Sequence, residues 1–160
     1  MLEPQGAGFF LLLMVIFGMV SFGLSYNDDL SISNAAREGT RFGGAVDYSA
    51  NPSSWSSSVR SRVQQTYFNA GSTLADSQVC VQLIDSSGSV VSGTSLLGSE
   101  CSSATPPAAP TSMTSGSCAV RVWVVKPSRL SWLLVPDKIV SLSANSLAFY
   151  GIKGGVCTAV

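Results

Sequence analysis

From Pro4 to Asn27, 24 residues in succession, no side chain carries a charge. The centre of this run is Phe9, Phe10, Leu11, Leu12, Leu13, Met14, Val15, Ile16, Phe17 and Gly18, and it continues through Met19 and Val20 to Phe22, Gly23 and Leu24. A helix rises about 1.5 Å per residue, so roughly 20 residues cross the ~30 Å hydrocarbon core of a bilayer. Ala7 to Leu24 is 18 residues, just long enough to span, and Tyr26 then falls at the interface. Two other readings compete. A cleaved signal peptide would use Ser21-Phe22-Gly23 as its small-x-small site and leave a secreted chain beginning near Leu24. Against it, the start of the chain carries Glu3 and no Lys or Arg, and the apolar run exceeds the usual ~7–15 residues. A buried core helix is the second, but a helix hydrophobic all round is rare in a domain this small. The run is therefore read as a retained membrane helix.

The rest of the composition narrows the function. The chain has 160 residues, which suits one compact head beyond the helix. Charged residues are 11%, the formal net charge is zero and there is no histidine. The charge balance excludes a basic nucleic-acid footprint. The missing histidine excludes Ser-His-Asp and Cys-His catalysis and His-ligated zinc. G-x-S-x-G, GxGxxG, P-loop and Ser-x-x-Lys patterns are absent. Asp28 and Asp29 would point about 100° apart on a helix and cannot act as a dyad by themselves. The expectation is a protein that is not an enzyme, with no cofactor, no metal and no small-molecule substrate.

Four cysteines, Cys80, Cys101, Cys118 and Cys157, all follow the span. None forms Cys-x-x-Cys, so a zinc ribbon or redox motif is disfavoured. An even number beside a membrane anchor points to two disulfides in an oxidising compartment, and so to a head outside the cytoplasm, with four reduced thiols as the alternative. Three pairings are open. The favoured one is Cys101–Cys118, closing the loop between them, with Cys80–Cys157 tying an early strand to the C-terminus.

Beyond the span, residues 25–42 contain no proline, so one helix is expected over about residues 5–42, about 57 Å long. Leu30, Ala35, Ala36 and Phe42 give it a thin apolar stripe. Gly39-x-x-x-Gly43 has the spacing of a close helix approach, but outside lipid two helix-end glycines are the preferred reading, with Gly43-Gly44 as the stop. Ser53 or Ser54 can cap a second helix, in which Trp55, Val59, Val63 and Tyr67 recur every four residues as a core stripe. The period then becomes two. Gln78–Asp85 reads as a strand, Ser89–Leu97 as its hairpin partner, residues 98–117 as a Ser/Thr/Pro-rich surface loop, Cys118–Lys126 as a strand broken by Pro127, and Lys138–Tyr150 as the last strand. Trp132–Val135 is an apolar patch between Pro127 and Pro136. The fold class is α+β: a long membrane helix extended outside, an amphipathic helix, and a small antiparallel sheet of three or four strands. Residues 1–44 are assigned to the helix and residues 45–160 to the head.

One combination goes further. The span holds Phe17-Gly18 and Phe22-Gly23, followed by Tyr26 and by Asn34, Ala35, Ala36, Arg37, Glu38, Gly39, Thr40 and Arg41. This resembles the TadE/TadG-like family of bacterial tight-adherence (Flp-type) pilus systems, in which a membrane helix runs into an Asn-Ala-Ala-Arg-Glu-Gly-Ala-Arg-like stretch. The sequence departs from it at Thr40, where Ala is usual. The resemblance is specific over residues 9–42 and looser over strands like Val120–Val125 and Ile139–Ala144. It implies a pilin-like minor component of pilus assembly, single-pass in the bacterial cytoplasmic membrane, with an extracytoplasmic C-terminal head, in the pilus or at the cell surface. Its implied partners are the lipid bilayer and other pilus-assembly proteins or pilins, with no nucleic acid. Many members are cut after a glycine, with a glutamate near the fifth mature position. Gly6 and Gly8 are followed five residues on by Leu11 and Leu13, so neither fits. Glu3 stands near the family glutamate, which puts cleavage upstream of Met1 or leaves this chain unprocessed. Arg37 and Glu38 are the residues expected to make helix–helix or helix–head contacts. The alternative function is a generic membrane-anchored extracytoplasmic binding domain, with its ligand on the sheet or the 98–117 loop.

Overall fold

The computed structural model describes residues 4–49, 51–111, 113–132, 135–151 and 157. Helix α1 runs unbroken over Pro4–Ala45 and helix α2 over Pro52–Asn69. Strands β1 (Val79–Asp85), β2 (Cys118–Trp132) and β3 (Val135–Phe149) follow. They form one antiparallel sheet in the order β1-β2-β3. The architecture is the expected α+β, with three strands among the described residues.

Strand alternation divides the sheet into two faces. Val79, Val81 and Leu83 of β1 and Val120, Val122 and Val124 of β2 point to the helices. There they meet Ile32, Ala35 and Ala36 of α1 and Trp55, Val59, Val63 and Tyr67 of α2. The four-residue aromatic and valine stripe of α2 is thus core. On the opposite face Cys80, Cys101, Trp123 and Val125 form a smaller buried cluster.

That division overturns the disulfide assignment. The bonds are Cys80–Cys101 and Cys118–Cys157, each with a Cα–Cα separation of 5.9 Å, and not Cys101–Cys118 and Cys80–Cys157. Cys80 lies on the face away from the helices, and Cys118 packs with the helix-side core, where Cys157 joins it. Each expected bond would have had to pass through the sheet. Loops of 21 and 39 residues are worth about 3–4 kcal/mol each in the chain-entropy account.

Several boundaries also differ. Ser89–Leu97 is not a continuous strand: it meets β1 through scattered hydrogen bonds, such as Val91 N–H to the Leu83 carbonyl, and at the isolated bridges Ile84–Val90 and Val81–Leu96. Between them a turn carries Gly93 at φ 74°, and the Thr94 hydroxyl donates to the Val91 carbonyl at 2.7 Å. Pro127 does not end β2. β1 pairs with β2 only as far as Val124, so Pro127, opposite Ser141, has a described strand neighbour on one side alone. An edge position tolerates a residue with no N–H. The Trp132–Val135 patch is the hairpin end, where Trp132 pairs with Val135; residues 133 and 134 lie outside the described residues, as does Glu3. The cap of α2 is Asn51, whose Oδ1 accepts from the Ser54 backbone N–H at 3.0 Å, rather than Ser53 or Ser54.

Gly39 and Gly43 are not helix ends. Both lie inside α1 and are buried. A Cβ on Gly39 would collide with Val63 Cγ2, and one on Gly43 would lie 3.0–3.3 Å from Val120, Val59 and Trp55. The Trp55 indole N–H donates to the Gly43 carbonyl at 3.1 Å. Leu30, counted in the expected stripe, is exposed, and Ile32 is buried in its place. The buried face is Ile32, Ala35, Ala36, Gly39, Thr40 and Gly43, at the three- and four-residue steps of a helix.

Gly39→Leu is expected to lower the stability of the head by about 1–3 kcal/mol, the usual cost of overpacking. Gly23→Leu, with nothing within 4 Å of its Cβ position, is expected to leave it unchanged. Urea unfolding of both variants in detergent micelles checks this pair.

Candidate functional site

Helix α1 has two unlike halves. Phe9, Phe10, Leu11, Leu12, Met14, Val15, Ile16, Phe17, Phe22 and Gly23 are exposed, and Leu13 and Gly18 are only partly screened. The most apolar stretch of the helix, near the N-terminus, is long enough to cross a membrane and has none of its residues buried. Leaving so large an apolar surface in water would be costly at about 25 cal/mol per Å². A lipid environment removes that cost.

The second half is built into the head. Within the Asn34–Arg41 stretch, Ala35 and Ala36 are fully buried and Gly39 lies under Val63, while Asn34, Arg37 and Arg41 face out. Small side chains let α1 lie close to α2 and the sheet. Thr40 is buried, and its hydroxyl is within 2.8 Å of the Arg37 carbonyl oxygen and 2.9 Å of Ser146 Oγ on β3. A threonine at this position thus adds a polar tie between helix and sheet.

Glu38 sits on the rim of this packing. Its carboxylate accepts two hydrogen bonds from Arg41 at 2.8 Å and pairs with Arg62 of α2 at 2.8 Å. The Arg41 and then the Arg62 hydrogen bonds hold its carboxyl down at about 2. The structure therefore places Glu38 in a helix–helix contact. Arg37 is exposed, and among the described residues its side chain makes no hydrogen bond or ion pair.

A second cluster lies where α1 emerges from the apolar run. Asp28, its first charged residue, receives Lys126 Nζ of β2 at 2.9 and 3.1 Å. The Tyr67 hydroxyl of α2 donates to the same carboxylate, and Lys126 Nζ stands 2.6 Å from Tyr67 Oη. The Asp28 and Lys126 side chains are 20% and 22% exposed, so the pair is shielded well beyond an ordinary surface ion pair. Burial, then the bond to Asp28, raises the Tyr67 pKa. Burial opposes the charge on Lys126, but the bonds to Tyr67 and Asp28 outweigh it and raise its pKa. Three elements are clamped at one point, about one residue past the segment that would lie in lipid. Sequence reasoning missed this cluster. The available signals were a tyrosine at the end of an apolar stripe and a lysine closing an apolar strand, but nothing in their spacing pointed to Asp28.

Chemically these groups hold elements together. Among the described residues no group of three or more His, Cys, Asp or Glu side chains is placed to hold a metal ion.

The geometry defines a class: a small α+β head assembled on the C-terminal half of a membrane-length helix. Residues 8–41 match the model of a protein family described as TadE-like protein. The matched segment covers the membrane-length stretch and the buried small-residue face, and ends two residues before Gly43. No curated protein matches the chain, and no solved structure does.

Two outcomes are expected. A double-mutant cycle with Asp28→Asn and Lys126→Met should give a coupling of about 1–3 kcal/mol in urea unfolding, and additive effects would show that the clamp is not formed. Glu38 has a depressed folded pKa, so its stabilisation is present above the unfolded value of about 4.3 and is lost as pH falls towards about 2. The urea midpoint of Glu38→Gln should therefore lie below wild type at pH 7, and the difference should close over that acidic window.

Proposed function

We propose that this protein is a non-catalytic component of a tight-adherence (Tad, Flp-type) pilus assembly, held in the bacterial cytoplasmic membrane by a single helix, with its head outside. The observation that carries the reading is the coincidence of the family match, residues 8–41, with one helix whose first half is unburied and apolar and whose second half is the spine of the head. The two disulfides support an exported head. On this reading residues up to about Asn27 belong to lipid and the head begins at Asp28. Its partners are other pilus-assembly proteins or pilins, reached by packing along α1 and the head surface, with Arg37 and Asn34 outward on α1 as residues placed to meet them.

A second reading, a membrane-anchored extracytoplasmic binding domain, is favoured by one feature: a cavity between the outer sheet face and the loop after Ser103.

The pilus reading is tested in the bacterium that carries the chain. Expected are recovery of the full chain in the membrane fraction, degradation of the head by protease added to intact spheroplasts, and loss of pili on deletion, restored by the intact copy. A soluble chain, a protected head or normal piliation of the deletion strain would overturn it.

A further inference from the structure

The outer face of the sheet, turned away from the helices, carries a cavity of about 350 Å³, at the small end of the roughly 300–1,000 Å³ typical of ligand sites. Ser103 and Thr105 come from the loop, Ser141, Ser143 and Asn145 from β3, and Trp123 from β2. Among the described residues no Asp, Glu, Lys or Arg lines it. From that lining a phosphate, carboxylate or ammonium ligand would gain no counter-charge, and a lipid tail would find too many hydroxyls. The lining instead offers neutral donors and acceptors around a partly aromatic floor, which matches the alternating hydroxyl and C–H faces of a sugar ring. The Trp123 indole N–H is buried without a hydrogen-bond partner among the described residues, an unmet donor on a residue of the cavity wall.

The wall is preorganised. The Cys80–Cys101 bond fixes the turn Ser99–Ser103 against β1, and Ala104 packs on the cluster containing Trp123. Arg121 Nε donates to Gln82 at 2.8 Å and its guanidinium lies over the Trp123 ring, 5.8 Å from the centroid.

We propose that this cavity is a site for one neutral sugar unit. Two sources share that chemistry. One is a free neutral glycan. The other is a sugar carried by the chain itself on Thr105, which is exposed, lines the cavity and opens the Thr-Pro-Pro stretch of a Ser/Thr/Pro-rich loop. In that case the anomeric carbon loses its bond to the phosphate of a polyprenyl-linked sugar donor and gains one to Thr105 Oγ1, and the hydroxyl proton leaves with the phosphate. The tethered source rests on the exported placement of the head.

The test uses the full chain purified from its native membrane in a detergent without a sugar headgroup. Intact-mass and peptide mapping are run with and without reductant, and tryptophan fluorescence is titrated with glucose, mannose, N-acetylglucosamine and their disaccharides. A hexose-type addition on the Thr105 peptide, absent from Thr105→Ala, supports the tethered source. An unmodified chain with a saturable response, weakened about tenfold by Asn145→Ala and lost in Trp123→Phe, supports the free source. Thr105 and Asn145 are exposed, so both alanine variants should keep the wild-type melting temperature. No addition and no response, or a response indifferent to these substitutions, overturns the proposal. The same spectra count disulfides: two intact bonds with no sugar signal reject the sugar site alone, whereas four free thiols reject the exported head.

Discussion

Val63 occupies the place where a side chain at position 39 would be. The rest of the head depends on that contact. With Gly39 bare, and Ala35, Ala36 and Gly43 nearly so, α1 lies close enough for α2 to reach over it and for β2 to pack from beneath. Larger residues there would hold α1 off and open the core to water, since protein interiors tolerate added methylenes poorly. The first half of the same helix follows the opposite rule. It is bulky, apolar and unburied, as a helix solvated by lipid chains must be. A single 42-residue helix thus carries two solvents' requirements in sequence.

The change between them falls at Asp28. A carboxylate at the end of an apolar run could be left to water, yet here it is drawn into the head by Lys126 and Tyr67. Because the three groups belong to α1, α2 and β2, the charge pair fixes the direction in which the helix leaves the head. A hydrophobic contact could hold the same elements but would not distinguish the membrane side from the head side. The ion pair is local and directional, and its bonds outweigh burial in raising the Lys126 pKa, while burial and the bond to Asp28 raise that of Tyr67.

Much of this fold could be read from the sequence, because the signals were periodic. The uncharged run, the four-residue stripe of α2 and the alternation in Val79–Asp85 each report one element's environment, and each element formed. What failed was non-local. Cysteine pairing depends on which face of the sheet each sulfur occupies, and spacing along the chain does not encode that for Cys101 or Cys157. The preference for helix-end glycines at Gly39 and Gly43 came from local rules, whereas the buried α2 stripe crossing them is a tertiary fact. Pro127 was read as a breaker by its local chemistry, but the short reach of β1 had already made that part of β2 an edge. Asp28 has Asp29 as its sequence neighbour, but its partners lie 39 and 98 residues away, beyond the reach of any local pattern.

The helix-side core is built from one sheet face and two helices, so the other face would be left to solvent without the loop after Ser99. That loop has few ladder bonds of its own, and the Cys80–Cys101 bridge supplies in covalent form what backbone pairing does not. On the inner face the Cys118–Cys157 bond ties Cys157 to the start of β2, beside the Tyr150 N–H that donates to the Cys118 carbonyl at 2.8 Å. Both bridges fasten a cysteine outside the strands to a strand on which the core is built. The small-residue face and the Asp28 clamp tie α1 to α2, β2 and β3 independently of those bridges, so the position of the helix in the head is set by core packing and one charge pair rather than by the loops.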